Sequence, residues 1–198
     1  MDTVVTNAPG DARVASTARL PVAEHLVVMG VAGSGKTTIA GLLAERLGLD
    51  LAEADEFHPA ENIEKMSSGT PLTDADREPW LAAIRDWLDR EADAGRAAVV
   101  TCSALKRAYR DELRRARGSV RFVHLAGSPE LLAERMTHRT GHFMPPELLP
   151  SQLATLEPLG RDEDGITVDI AASPEEITRS VVVWLAATTG RTEEGTTR

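Results

Sequence analysis

Five short apolar runs punctuate the chain, at residues 25–30 (HLVVMG), 49–54 (LDLAEA), 97–102 (AAVVTC), 120–125 (VRFVHL) and 165–170 (GITVDI). Each is rich in valine, leucine or isoleucine and bounded by Gly, Asp or Arg, which predicts strands buried on both faces. Between them the apolar spacing changes to three and four. Ile39, Leu42, Leu43 and Leu47 mark a helix over 36–47, and Trp80, Leu81, Ile84, Trp87 and Leu88 mark one over 74–94. Trp80 and Trp87 share one face and are read as core. Helices over 106–117 and 129–139 follow, and one over 174–187 starts on Pro174, a residue suited to the first helical position. Strands alternating with helices imply an α/β fold, a five-stranded parallel sheet with right-handed crossovers.

Residues 1–23 and 188–198 are mixed and aperiodic, and are expected to be a poorly ordered extension and tail around a single domain, 24–187. The 198 residues carry 22 basic and 31 acidic side chains, a formal charge of −9, with pI near 5.1. That balance disfavours broad binding to nucleic acid or anionic membrane. One cysteine, Cys102, excludes an intramolecular disulfide and a cysteine-built zinc site; burial as a small hydrophobe is expected for it. No apolar run approaches a membrane span and the N-terminus lacks a secretory pattern, so a cytoplasmic location is the default. Only three of the basic residues are lysine: Lys36, Lys65 and Lys106. A chain that almost avoids lysine can reserve it for places that need a compact ammonium.

The first such place is Gly30-Val31-Ala32-Gly33-Ser34-Gly35-Lys36-Thr37, which fits G-x-x-x-x-G-K-[ST] between a strand and a helix. Nucleotide phosphates are expected on Gly30, Ala32, Gly33, Ser34, Gly35, Lys36, Thr37 and Thr38. Lys36 reaches the β- and γ-phosphates, and the Thr37 hydroxyl serves Mg²⁺. No Asn-Lys-x-Asp guanine signature is present, and the chain is short for an AAA-type machine. A kinase of a small metabolite fits best.

Glu53-Ala54-Asp55-Glu56-Phe57-His58-Pro59 follows the second strand, at the sheet edge where open α/β folds bind ligands. Asp55 can hold Mg²⁺ through water, orient an acceptor hydroxyl or take its proton, or it can simply cap the next helix. His58 reads equally as a ligand contact or a turn residue. Thr73 or Asp74 can cap the tryptophan-bearing helix.

The blocks DEFHP (55–59), NIEKMSSGTPLTDADREPWL (62–81), CSALKRAYRD (102–111) and GHFMPPELLPSQLATLEP (141–158) together resemble the gluconokinase family of small P-loop sugar-acid kinases, over roughly residues 25–187. The resemblance implies phosphorylation of D-gluconate on its 6-hydroxyl by ATP, a fold similar to shikimate and adenylate kinases with a mobile lid at about 135–157, and a homodimer. It further implies Lys36, Asp55, Arg135 and Arg139 as catalytic groups, with the two arginines closing over the phosphates from around Gly141. Thr37 and Asp55 would serve the metal. Asp55, His58, Lys65, Lys106 and Arg110 become gluconate contacts. By spacing alone Lys106 and Arg110 read as a solvated basic face, and Arg135 has a plain salt-bridge reading with Glu134. His142 is given no chemistry. One departure stands out: the family pattern often reads Asp-x-Asp where this chain has Glu53-Ala54-Asp55, which puts an outer-shell role for residue 53 in question. Leu153 and Ala154, in place of a common Phe-Glu, look like packing variation. The alternatives are another small-metabolite kinase such as shikimate kinase, or a nucleotide-binding regulator without turnover.

Overall fold

A computed structural model describes Leu20, residues 23–137 and residues 148–189. Five parallel strands, β1 (Glu24–Met29), β2 (Asp50–Glu53), β3 (Ala98–Cys102), β4 (Ser119–Ala126) and β5 (Gly165–Asp169), form one sheet in the order β2-β3-β1-β4-β5. Pairing of β1 with both β3 and β4 puts the strand before the phosphate loop at the centre. The α/β class and parallel sheet follow the sequence reading.

Burial on both faces holds for the inner strands and fails at the edges. All six residues of β1 and all five of β3 are buried. In β2 and β5 only one residue each is, and Leu51 stands 43% exposed. An edge strand is covered on one side by a single neighbour, so its short apolar run need not be sealed twice.

Alternation along β1 divides the core. Leu26 and Val28 face α1 (Lys36–Leu47) and α7 (Pro174–Thr189), against Ile39, Leu43, Val181 and Leu185. Val27 and Met29 face α3 (Asp74–Asp93) and α4 (Arg107–Leu113), against Trp80, Ile84, Leu88 and Leu113. Each such fully buried aliphatic side chain contributes about 1.5–3 kcal/mol. α1 stops at Gly48, whose left-handed backbone lets its N–H reach Ala44 O. Thr73 starts α3 through a reciprocal capping box with Asp76. α7 runs to Thr189, past the boundary read from sequence, and Thr188 Oγ1 donates to Trp184 O at 2.8 Å.

Three elements escaped the sequence pattern: a 3₁₀ turn (Ala54–Phe57), α2 (Ala60–Ser67) and α6 (Leu149–Thr155). Each is at most two turns long, too short to declare a period. α5 (Pro129–Thr137) ends the described chain before 138. Arg139, Gly141, His142 and the Pro145-Pro146 break, and with them the centre of the expected lid, lie outside the described residues.

Candidate active site

The phosphate loop leaves β1 at Gly30 and closes on the first turn of α1. Its backbone is specified by steric exclusion. Gly30 has φ 142° and a Cβ there would sit 2.8 Å from Leu125 O; Gly33 has φ 79° and a Cβ would meet Met136 Cγ at 2.9 Å and Leu132 O at 3.1 Å. Only glycine tolerates both the backbone and the approach. Ser34 is buried, and its Oγ has no hydrogen-bond partner among the described residues. Lys36 Nζ donates to the loop's own carbonyls, Gly30 O at 3.1 Å and Val31 O at 3.0 Å. Thr37 and Thr38 are exposed on the first turn of α1. Arg135 lies beside the loop: a Cβ on Gly35 would be 4.0 Å from its Nη1, and its Nη2 donates to Ile170 O at 2.8 Å.

A cavity of about 430 Å³ opens from this loop, and Ala32, Lys36, Thr37, Asp55 and His58 line it together. Asp55 projects from the 3₁₀ turn at the carboxyl end of β2, so the open-sheet rule places it correctly. Its backbone carbonyl accepts from His58 N at 3.4 Å; no carboxylate bond that would make it a helix cap is found among the described residues. His58 stacks on Trp80, ring centroids 4.4 Å apart and planes 9° from parallel. Burial, opposed by the Asp55 charge and aided to a smaller extent by that of Arg77, lowers the His58 pKa, so its ring is neutral at pH 7. Trp80 is core, as expected, yet it also donates its indole N–H to Ala54 O at 2.7 Å. It thereby fixes the turn that carries Asp55.

Glu53 lies on the cavity wall. Its Oε2 accepts from Thr101 Oγ1 at 2.5 Å, while its Oε1 is buried on the cavity wall without a partner. An unsatisfied buried carboxylate oxygen costs stability unless something polar meets it. With the Thr37 hydroxyl and Asp55 it makes a hard-oxygen set that suits Mg²⁺. No cluster of three His, Cys, Asp or Glu capable of holding a metal alone occurs among the described residues. A cation here would therefore draw other ligands from phosphate and water.

The sequence-derived gluconate contacts separate. Arg110 is the clearest correction. It is fully buried, and its guanidinium meets Glu163 at 2.6 and 2.9 Å and the carbonyls of Ala104, Leu105, Glu157 and Pro158. No donor remains for a substrate. Lys106 does not converge with it, because Lys106 is the extended N-cap of α4, not a residue within the helix. Its ammonium is paired with Asp74 at 2.8 Å, at the edge of an adjacent hollow. Lys65 is exposed and held by Asp76 at 2.6 Å; that bond, with the two from Thr73, lowers the Asp76 pKa to about 2. Cys102 lines the wall, but burial raises its pKa to about 12, which removes it as a nucleophile.

A family described as an AAA domain matches residues 26–159, well over half the chain. A gluconokinase of Gluconobacter oxydans (strain 621H) is 54% identical over 157 residues, covering 79% of this chain and 88% of that protein. The chain belongs to the gluconokinase family. A solved gluconokinase structure from Sinorhizobium meliloti 1021 superposes with a TM-score of 0.80 at 48% identity, over 91% of this chain and 100% of that one. Shikimate kinase from Aquifex aeolicus vf5, at 16% identity and a TM-score of 0.53 over 84% of this chain and 99% of that one, shares the fold alone.

Among the cavity-lining residues of this gluconokinase-family chain that the sequence did not single out are Arg77 and Gln152. Gln152 Oε1 accepts from Ala32 N at 2.7 Å, so α6 is tied to the phosphate loop. Nothing local announces either residue. Arg77 is one arginine among many, and Gln152 sits on a helix too short to show a pattern.

Proposed function

We propose that the protein transfers the γ-phosphoryl group of ATP to the 6-hydroxyl of D-gluconate, releasing 6-phospho-D-gluconate and ADP. The observation that carries this reading is the shared cavity. The phosphate loop, with Lys36 and Thr37, and the carboxylate of Asp55 open onto one space of about 430 Å³, large enough for a sugar acid beside a triphosphate terminus. Phosphoryl transfer needs little covalent work from the protein, so positioning and charge stabilisation dominate. Loop amides and Lys36 bind the phosphates. Asp55 orients the acceptor hydroxyl and receives its proton. Arg135, beside Gly35, neutralises charge on the transferring group, and family resemblance gives Arg139 the same role. Thr37, Asp55 and Glu53 would hold Mg²⁺, which would supply charge neutralisation at the phosphates. His58 presents a neutral ring to the sugar hydroxyls, and Lys106 borders the adjacent hollow, where release from Asp74 would let it turn inward; Lys65 is a further gluconate contact once released from Asp76. Family resemblance also supports a homodimer in the cytoplasm; no helix among the described residues is long and apolar enough to cross a membrane.

ADP release with ATP and Mg²⁺ against a panel of D-gluconate, shikimate and other aldonates tests the reading. Turnover of gluconate alone upholds it. Turnover of shikimate without gluconate, or ATP binding with no turnover of any acid, overturns it in favour of the other kinase or the regulator.

A further inference from the structure

Among the described residues of α2, Asn62 alone is buried, 3% exposed. A polar side chain persists inside only where its hydrogen bonds are met, and here the bonds dictate more than burial. Asn62 Nδ2 lies 2.7 Å from Asp76 O on α3. A carbonyl oxygen only accepts, so the atom facing it is the NH₂ and the amide has one orientation. The same nitrogen lies 3.4 Å from His58 Nδ1, at the C-cap of the 3₁₀ turn. An NH₂ offers no lone pair, so Nδ1 must present its own. Burial keeps the His58 ring uncharged at pH 7, and an uncharged imidazole carries one proton. That proton is therefore on Nε2.

The stack on Trp80, 4.4 Å between centroids and 9° from parallel, fixes the plane of the ring. It does not fix which edge points where. A half-turn about the Cβ–Cγ bond keeps the stack and exchanges Nδ1 with a ring carbon. Asn62 settles that choice as well as the tautomer. His58 lines the cavity together with Asp55, and among the described residues its Nε2 has no partner. Of the two ring nitrogens, Nε2 is the one left to meet a ligand. It arrives as an N–H, which donates and cannot take a proton, and this leaves the proton of the acceptor hydroxyl to the Asp55 carboxylate.

We propose that Asn62 is a positioning residue whose NH₂ selects the edge and the tautomer of His58, so that His58 offers the acceptor sugar a fixed Nε2–H donor and not a base. The proposal rests on the activity given above and divides the labour of its site between a donor and a proton acceptor. Asn62 never touches the sugar; it acts through the ring it faces. A merely structural Asn62 would tie α2 to α3 through Asp76 O and leave His58 indifferent to its loss.

NMR of isotope-labelled histidine nitrogens reads the tautomer without substrate, the His58 signals being assigned by their loss in His58→Gln. In the unmodified protein Nδ1 of His58 should be bare and Nε2 protonated; in Asn62→Leu, of similar size but with no donor, the two signals should converge as the other tautomer gains population. A protonated Nδ1 in the unmodified protein, or signals that Asn62→Leu leaves in place, overturns the assignment. Kinetics supply the second arm. His58→Gln keeps an N–H donor and has no tautomer to set. Asn62→Leu should lower kcat/KM for gluconate about fivefold beside His58 and less than about twofold in the His58→Gln background, because a residue acting through another is not additive with it. The KM for ATP should stay within about twofold throughout, which also reports folding. Equal losses in both backgrounds would make Asn62 structural and overturn the proposal. Should the unmodified protein fail to turn over gluconate, the activity falls, while the tautomer measurement still decides whether Asn62 sets His58.

Discussion

Ala32 and Gln152 are 120 residues apart in sequence, and the backbone N–H of the first donates to the side-chain oxygen of the second at 2.7 Å. A phosphate-loop amide is thus satisfied by a group on α6. Gln152→Ala should lower kcat about tenfold, the scale of one hydrogen bond, with a smaller change in thermal stability. Gln152→Glu retains an acceptor but sets a negative charge beside the phosphates, so its KM for ATP should exceed that of Gln152→Ala. Equal ATP affinity in the two variants would show that residue 152 does not face the nucleotide.

Asp55→Asn preserves size and removes the carboxylate. Turnover should fall by about 10²–10⁴, the range for losing a positioned proton acceptor, while a non-hydrolysable ATP analogue binds almost as before. Calorimetric titration alongside the ADP assay separates the two effects. Near-normal turnover would take Asp55 out of the chemistry.

Arg110 and Glu163 are both fully buried, 2.6 Å apart at their closest. Breaking such a pair from one side leaves an uncompensated charge, so Arg110→Ala should lose about 3–5 kcal/mol of stability. Denaturant melts measure this directly. The fraction that remains folded should keep its gluconate KM, because no Arg110 atom reaches the cavity.

Stability should fall as pH drops below 6.5. His25, His58 and His124 all have pKa values lowered by burial. The unfolded chain therefore takes up protons near 6.5 that the folded chain refuses until a lower pH, and this favours unfolding. Above pH 6.5 both states are neutral at these sites and the penalty vanishes. His25, fully buried, feels an opposing but smaller pull from Glu91, the Arg117 backbone and Asp89. Melting temperatures between pH 7.5 and 5.5 should slope downward, and His25→Val should make the slope shallower. A flat profile would contradict the burial argument.

The phosphate loop, the inner strands and the long helices were legible because each is announced locally, by a motif or by a period sustained over several turns. α1 and the tryptophan face of α3 are examples. What failed was convergence. By spacing Lys106 and Arg110 read as a solvated face and by resemblance as gluconate contacts, yet the helix begins after Lys106 and their side chains go to Asp74 and Glu163. Both acidic partners lie distant in sequence, and burial had no local signature. Arg77 was missed for the converse reason. Its place on the cavity wall follows from how α3 packs, which no single-sequence pattern displays.

Gly33 packs against α5. Its Cα lies against Met136 and the carbonyl of Leu132 on α5, while its neighbour Ala32 is bonded to Gln152 on α6. Both ends of the stretch that links these helices are moored to the loop that takes the nucleotide. A displaced loop would therefore pull on α5 and α6 at once.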